Sequence, residues 1–228
     1  MKAIVSVIAG IVLLMAGTAN ADYSLYLGGT YPTGIQITEG ETSTTPVSTS
    51  GGPISPSTLN GAPLEYVYCI DLYRDVIVAD AYNNTLVTNN GVIYGGTSSQ
   101  VTVNNAAQIA WLLTNYGTTT DPNAQIALQV AIWHEEYLNS PGQYVNLASN
   151  APSAQVADYN GYLNALGSNT GNVGSFYWIT PADSNGQYQA EIAPNPSVTG
   201  SETPIPGAAW LLGSGLFWLT AFRKRFIG

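Results

Sequence analysis

The fold of this chain is decided by the stretch from Asp121 to Tyr137, which reads DPNAQIALQVAIWHEEY. Aspartate is a favoured helix N-cap and proline is favoured at the first helical position, so Asp121 and Pro122 predict the start of a helix. The residues that follow hold a helical pattern until about Tyr137, just ahead of the breaker pair Pro141-Gly142.

Two further helices flank this one. Residues 106–116 predict a helix that Asn104 or Asn105 caps and that Gly117 ends. A weaker helical pattern covers residues 153–167. The middle of the chain is therefore predicted to be helical.

Strand-like segments lie on both sides of the helices. Residues 66–82 give the strongest strand pattern, because aromatic and β-branched residues dominate it. Turns are predicted at 83–84 and 89–91, and the polar tract 38–63 is predicted to be a long flexible loop. The remaining predicted strands are a pair over 23–37 with a turn at 32–34, two short strands over 91–103, and single strands at 175–179 and 186–192. This order predicts an α+β fold, a β-sandwich or barrel with a helical insert of two to three helices.

Composition excludes several classes of function. The chain has 228 residues, 14 acids, five bases, one His and one Cys. All 14 acids but only one base, Arg74, fall between Asp22 and Glu202, so this region has a formal charge of 1 − 14 = −13. Nucleic acid is excluded as a partner, since phosphate binding needs clustered bases. One Cys and one His allow neither an internal disulfide nor a Cys/His metal site, and no cofactor is predicted.

The N-terminal segment has the features of a signal peptide. Lys2 precedes an apolar run from Ile4 to Ala16, and Ala19-Asn20-Ala21 fits the small-x-small cleavage rule. Residues 1–21 are therefore predicted to be removed during export, with the ectodomain covering residues 22–193.

The C-terminal segment is predicted to be a transmembrane helix. A linker over 194–203 leads to an apolar run from Ile205 to Phe222, which would span about 27 Å as a helix. The basic cluster after it is predicted to stay in the cytoplasm and comprises Arg223, Lys224 and Arg225. The body of the protein would then face the periplasm.

The residues before this helix include Pro204 and Pro206, in the order Thr-Pro-Ile-Pro-Gly. Pro-x-Pro, an apolar helix and a basic tail together resemble the VPLPA variant of the PEP-CTERM sorting signals over residues 204–228. The resemblance implies a Gram-negative bacterium, processing by an exosortase-like enzyme, and release to the cell surface or extracellular matrix. A plain single-pass membrane anchor is the alternative.

Three short motifs follow one another in the ectodomain. They are Tyr68-Cys69, the stretch AQIAWL containing Gln108 and Trp111, and LQVAIW, which contains Gln129 and Trp133. In this order they resemble the thioester domains of bacterial surface adhesins, also called TQXA domains. The match covers about residues 23–192 in architecture, and the family's Thr before the second Gln is Leu128 here.

The resemblance implies an intramolecular thioester between Cys69 and Gln129, with Gln108 as a supporting hydrogen-bonding side chain. Trp133 lies one turn after Gln129 on the same helix face, so it is expected to pack over the bond. Tyr68 and Trp111 are expected to help keep water away from it. An amine on an extracellular partner would then attack the thioester and become linked to the chain.

The absence of lysine between Asp22 and Glu202 fits this chemistry, since the chain carries no side-chain amine there to cross-link with itself. The acyl transfer would happen once per molecule, so no turnover enzyme is predicted. Two alternatives remain: a noncatalytic structural or matrix protein with the same fold, and a secreted cysteine hydrolase in which His134 serves Cys69 as a base. His134 could also assist the thioester chemistry. An acidic cluster at Asp71, Asp75 and Asp80 is predicted to be a solvated face rather than a calcium site.

Overall fold

The computed structural model describes residues 23–40, 43–95, 99–138, 140, 142–183 and 186–199. The predicted signal peptide (1–21), the sorting motif with Pro204 and Pro206, the C-terminal apolar helix and the basic cluster all lie outside these residues. Within them, no helix is both long enough and apolar enough to cross a membrane.

The described residues form fourteen strands and four helices, with one 3-10 turn at Val173–Ser175. The helices are α1 (Ala106–Tyr116), α2 (Pro122–Tyr137), α3 (Ser153–Leu166) and α4 (Pro196–Thr199). The strands are β1 (Tyr23–Leu27), β2 (Thr33–Glu39), β3 (Val47–Ser50), β4 (Ser57–Leu59), β5 (Ala62–Leu64), β6 (Tyr68–Cys69), β7 (Asp80–Thr88), β8 (Val92–Tyr94), β9 (Gln100–Thr102), β10 (Val145–Leu147), β11 (Phe176–Thr180), β12 (Ala182–Asp183), β13 (Gly186–Gln187) and β14 (Glu191–Pro194).

The predicted α+β class is confirmed, and the sheet curls into a half-barrel. Seven antiparallel strands form it in the order β5-β4-β1-β7-β11-β14-β6, so β6 lies at one edge. A three-stranded sheet, β10-β2-β3, and two hairpins complete the strands. Helices α1, α2 and α3 contact one another, and α2 is the central one because it also packs on β10.

The first residues of α2 form the N-cap that the sequence predicts. The Asp121 carboxylate accepts hydrogen bonds from the backbone N–H groups of Asn123 and Ala124, as an N-cap should. The N-cap of α1 is different, since Asn105 has a left-handed backbone (φ 46°) and no capping hydrogen bond. Its side chain instead donates to the Glu135 carboxylate at 2.9 Å, which ties α1 to α2.

The predicted flexible loop over 38–63 is wrong. Strands β3 and β4 and the start of β5 lie in this tract, where β3 pairs with β2 and β4 pairs with β1. Two of its apolar side chains, Ile54 and Leu59, are buried in the core, whereas Val47 is exposed. Backbone pairing with apolar neighbouring strands therefore orders a segment whose own side chains are mostly polar.

The predicted strand over 66–82 is also wrong for most of its length, because only Tyr68–Cys69 and the last three residues of the range, 80–82, are in strands. The next strand, β7, begins at Asp80 and runs through the predicted turn at 83–84. It lies between β1 and β11, so pairing on both edges outweighs the weak strand preference of asparagine. The predicted turn at 89–91 is confirmed between β7 and β8, with Gly91 at φ +76°.

Residues 23–37 contain two strands, as predicted, but β1 and β2 do not form a hairpin with each other. Strand β1 pairs with β4 and β7, whereas β2 pairs with β3 and β10. The chain therefore passes from the large sheet to the small one between residues 27 and 33.

Candidate functional site

The structure brings Cys69 and Gln129 together. Cys69 lies on the edge strand β6 and Gln129 on the central helix α2, and both side chains are buried. The Gln129 amide Nε2 donates to the backbone oxygen of Cys69 at 2.7 Å, and its Oε1 accepts from the backbone N–H of Cys69 at 3.0 Å. The side chain of Gln129 thus occupies the place that a neighbouring strand would take at this edge.

A second backbone donor completes the surroundings of the Gln129 carbonyl. The N–H of Gly52 donates to Oε1 at 2.7 Å, so two N–H groups point at one carbonyl oxygen. This is the arrangement of an oxyanion hole, which stabilises negative charge that develops on a carbonyl oxygen. Gly52 has φ +107°, and a Cβ there would lie 2.9 Å from Pro32, so glycine is required.

Trp133 packs beside this amide, as its helical spacing from Gln129 predicts. A Cβ at Gly51 would lie 2.7 Å from Cη2 of Trp133 and 3.2 Å from Cγ of Gln129. The backbone of Gly51 therefore lies directly against the indole ring and the Gln129 side chain. The pair Gly51-Gly52 lets the chain approach α2 closely enough for the Gly52 N–H to reach Oε1.

Glu191 lies opposite Cys69 in the ladder between β6 and β14. Its side chain is fully buried. Within the described part of the chain, neither carboxylate oxygen has a partner that meets the usual distance and angle of a hydrogen bond. The polar side chain that acts on this carboxyl through hydrogen bonding is the Cys69 thiol. Burial raises the pKa of Glu191 well above its ordinary value.

The pKa of the Cys69 thiol is also raised well above its ordinary value, first by burial and then by the nearby Glu191 carboxyl. The Gly52 N–H acts on the thiol in the opposite direction, as a hydrogen-bond donor. The thiol is therefore held protonated, close to the same N–H group that contacts the Gln129 carbonyl.

A polar cavity of about 380 Å³ reaches Cys69. Residues 48–51 at the end of β3 form one wall, and Asp75 and Gln189 lie among the other lining residues. The cavity gives a small molecule or a protruding side chain space beside the cysteine. A larger cavity of about 510 Å³ lies elsewhere, between Tyr31, Tyr66 and Gln125.

The other predicted supporting residues are not gathered at the Cys69–Gln129 pair. Gln108 is half-buried and makes no hydrogen bond with Cys69 or Gln129, all three of which are described. Trp111 packs edge-on against Tyr116 at 5.9 Å on α1. Tyr68 is fully buried and packs edge-on against Tyr66, and its side chain lies on the opposite face of β6 from Cys69.

His134 belongs to a different network. Its Nδ1 lies 2.9 Å from the backbone oxygen of Val145 and 3.1 Å from the hydroxyl of Tyr159. The ring also packs edge-on against Tyr144. These contacts hold the histidine on the side of α2 that faces β10 and α3.

The acidic residues after β6 have protein partners. Asp71 pairs with Arg74 at 3.4 Å and accepts hydrogen bonds from the Tyr137 hydroxyl and the Tyr73 N–H. No group of three or more His, Cys, Asp or Glu side chains is placed to hold a metal ion among the described residues. Asp71 therefore serves to fix the chain that follows Cys69.

Three residues of the site were not predicted: Gly51, Gly52 and Glu191. The glycine pair lies in the tract that was predicted to be a loop, where its only signal is the Gly-Gly sequence. Glu191 had a clearer signal, an acid within a predicted strand. Its placement opposite Cys69 depends on the pairing of two strands that are more than a hundred residues apart in the chain.

No protein-family model, curated protein or solved structure matches this chain at a significant level.

Proposed function

We propose that this protein is an exported surface protein in which Cys69 and Gln129 form a thioester that acylates an amine on an extracellular partner. The observation that carries the proposal is the pair of N–H groups, from Gly52 and Cys69, that hold Oε1 of Gln129. Gln129 is the side chain that the thioester chemistry needs, and it is held at the cysteine that would react with it.

The bond forms when Sγ of Cys69 attacks Cδ of Gln129. The electron pair of the carbonyl moves onto Oε1, where the two N–H donors stabilise the negative charge. The C–N bond then breaks, and ammonia leaves with the proton that the thiol gives up. Burial of the pair and of Trp133 keeps water from the product.

The second step uses the cavity beside Cys69. An amine that enters it attacks Cδ, displaces the Cys69 thiol and leaves an amide between the chain and the partner. Each molecule reacts once, so the protein is a reactive binding protein rather than an enzyme. The lack of lysine between Asp22 and Glu202 leaves that region without a competing side-chain amine.

The proposed location follows from the chain ends. Residues 1–21 direct export, and the C-terminal helix tethers the ectodomain to the inner membrane, facing the periplasm. The segment from Pro204 onward is then processed by an exosortase-like enzyme, which releases the protein to the cell surface or matrix.

A noncatalytic structural protein is the second candidate function. Gln129 supplies hydrogen bonds to the backbone of Cys69 at the unpaired edge of β6, and this structural role needs no covalent bond. A cysteine hydrolase has less support. It needs a thiolate of lowered pKa, whereas burial raises the pKa of Cys69, and His134 contacts other residues.

Intact mass tests the proposal. The full-length chain and its Cys69→Ala variant are produced in the same host, so that any processing is common to both. The wild type is expected to be lighter than its processed sequence mass by about 17 Da, and the variant to show full mass. Methylamine is expected to remove the deficit and leave a heavier adduct at Gln129. Full mass in the wild type, with a thiol that labels only after denaturation, would reject the thioester and support the noncatalytic structural function.

A further inference from the structure

We infer that the carboxylate of Glu191 is the general base of thioester formation, which takes the proton from the Cys69 thiol and passes it to the leaving nitrogen of Gln129, which departs as ammonia. The inference rests on the proposed thioester and adds the residue that moves the proton. Three features of the described residues carry it: the ladder geometry, the burial of Glu191, and its hydrogen bonding with the Cys69 thiol.

The ladder places the two side chains together. Both backbone polar groups of Cys69 bond to Gln129, whereas the N–H of the next residue, Ile70, donates to the carbonyl of Ala190, just before β14. Cys69 and Glu191 are therefore a non-hydrogen-bonded pair of an antiparallel ladder. In such pairs the opposite side chains lie on the same face and come closest.

Burial makes this carboxyl unusual. A fully buried carboxyl ordinarily has hydrogen-bond partners, because an unpaired one is costly. Glu135, a second buried acid, follows that rule by accepting from Asn105. Glu191 differs, because the Cys69 thiol is the side chain that acts on its oxygens through hydrogen bonding and neither oxygen has another partner among the described residues. A role in proton transfer accounts for a buried carboxyl beside the Cys69 thiol.

Among the described acids, Glu191 is the one that acts on the thiol through side-chain hydrogen bonding, whereas Asp75 only lines the cavity that reaches Cys69. Asp71 is committed to Arg74 and to the Tyr137 hydroxyl, and His134 contacts Val145 and Tyr159. Arg74 is a cation and cannot accept a proton. Glu191 is thus left as the group that can take one.

The proton transfers balance. Glu191 accepts the thiol proton as Sγ bonds to Cδ of Gln129, and the carbonyl electrons move to Oε1. As the C–N bond breaks, the protonated carboxyl gives the same proton to the leaving nitrogen, which departs as ammonia. Glu191 ends as a carboxylate, and no oxidant, metal or further reactant is used.

Burial affects both groups of the proposed proton transfer. Burial raises the pKa of the thiol and that of the carboxyl, so both groups move in the same direction. A thiol with a raised pKa needs a base, and a carboxyl with an ordinary pKa would be a weak one. General bases work best when their pKa is close to the working pH, which a raised carboxyl pKa favours.

The rate of bond formation tests the role of Glu191. Concentrated ammonia reverses the reaction in the full-length protein, because it regenerates the Gln129 amide and the Cys69 thiol. Removing the ammonia then starts thioester formation, which is followed as the loss of about 17 Da. The Glu191→Gln variant keeps the side-chain volume but cannot accept the proton, and it is expected to form the bond at least about 100-fold more slowly than the wild type.

Two further variants separate chemistry from folding. Glu136→Gln changes a half-buried carboxyl that also has one buried oxygen without a partner, and the variant is expected to react at the wild-type rate. Glu191→Ala leaves space at the thiol, and added formate is expected to restore part of its lost rate, which a purely structural role would not allow. The melting temperature of each variant records its folding.

The outcomes distinguish the two proposals. A wild type of full mass would overturn the thioester and, with it, the role of Glu191. A wild type with the mass deficit, together with a Glu191→Gln variant that forms the bond at the same rate, would overturn only the role of Glu191. Slow formation in a folded Glu191→Ala variant that formate does not restore would count against the proton transfer as well.

Discussion

The side-chain amide of Gln129 bonds to both backbone polar groups of Cys69, with its Oε1 held at 3.0 Å by the N–H and its Nε2 2.7 Å from the carbonyl oxygen. The amide therefore makes the two hydrogen bonds that a neighbouring strand would otherwise make with Cys69 at the edge of β6. The same contacts give Gln129 a structural role, and they hold its carbonyl where the proposed thioester formation requires it.

The first prediction concerns the structural part of this relationship. Gln129→Ala leaves the N–H groups of Gly52 and Cys69 and the Cys69 carbonyl buried without partners, and we expect it to lower the free energy of unfolding by at least about 3 kcal/mol. Urea unfolding measures the loss, with Cys69→Ala present in both chains so that no thioester contributes. Gln125→Ala, one turn earlier on α2, removes a hydrogen bond to the Thr119 carbonyl and should cost about 1 kcal/mol. Equal costs at the two positions would contradict the prediction.

The second prediction concerns the close approach at Gly51. A Cβ there would lie 2.7 Å from Trp133, so we expect Gly51→Ala to cost about 1–3 kcal/mol and to reduce the fraction of molecules with the mass deficit. Urea unfolding and intact mass are the two measurements. Gly161→Ala is the control, since open space surrounds Gly161 on α3, and it should stabilise the protein by roughly 0.5–1 kcal/mol. An unchanged Gly51→Ala protein would show that this contact is not required.

The third prediction concerns access to the proposed thioester between Cys69 and Gln129. Thr49 on β3 lines the cavity that reaches Cys69, so a Thr49→Trp variant should form the thioester yet react several-fold more slowly with methylamine. Mass spectrometry over time follows both steps. Val47→Trp places the same ring on the same strand at a 41% exposed position outside this lining, and it should react as the wild type does. Similar slowing in both variants would mean that amines use another path.

The fourth prediction concerns pH and Glu136. Burial raises the pKa of Glu136 from 4.5 to about 8 in the folded state. Between these values the unfolded chain is ionised and the folded chain holds the proton, so this group makes stability fall as pH rises from about 4.5 to 8. Glu136→Gln should flatten that fall and raise the melting temperature at pH 8, while leaving it nearly unchanged at low pH. Melting curves across this range give the comparison, and parallel profiles for the two proteins would refute it.

The sequence supported much of the helical part of the fold. Asp121 and Pro122 mark the start of α2, and Gly117 follows the last residue of α1, because capping depends on residues that are close in the chain. The α+β class followed from the same order of patterns. The strands were harder to predict, since Asn83-Asn84 lies inside β7 and Ser/Thr-rich stretches form β3 and β4.

The sequence by itself determined the charge, the shortage of bases, the helices and the two residues of the candidate thioester, Cys69 and Gln129. Only the tertiary structure decided what surrounds them. Gly52 lies 77 positions from Gln129, and Glu191 faces Cys69 through the register of a two-residue strand. Such pairings depend on which strands meet across the whole sheet, and a one-residue slip would turn every side chain to the other face. Local sequence patterns carry no information on that choice, so the oxyanion donors and the buried carboxyl became visible only in the folded chain.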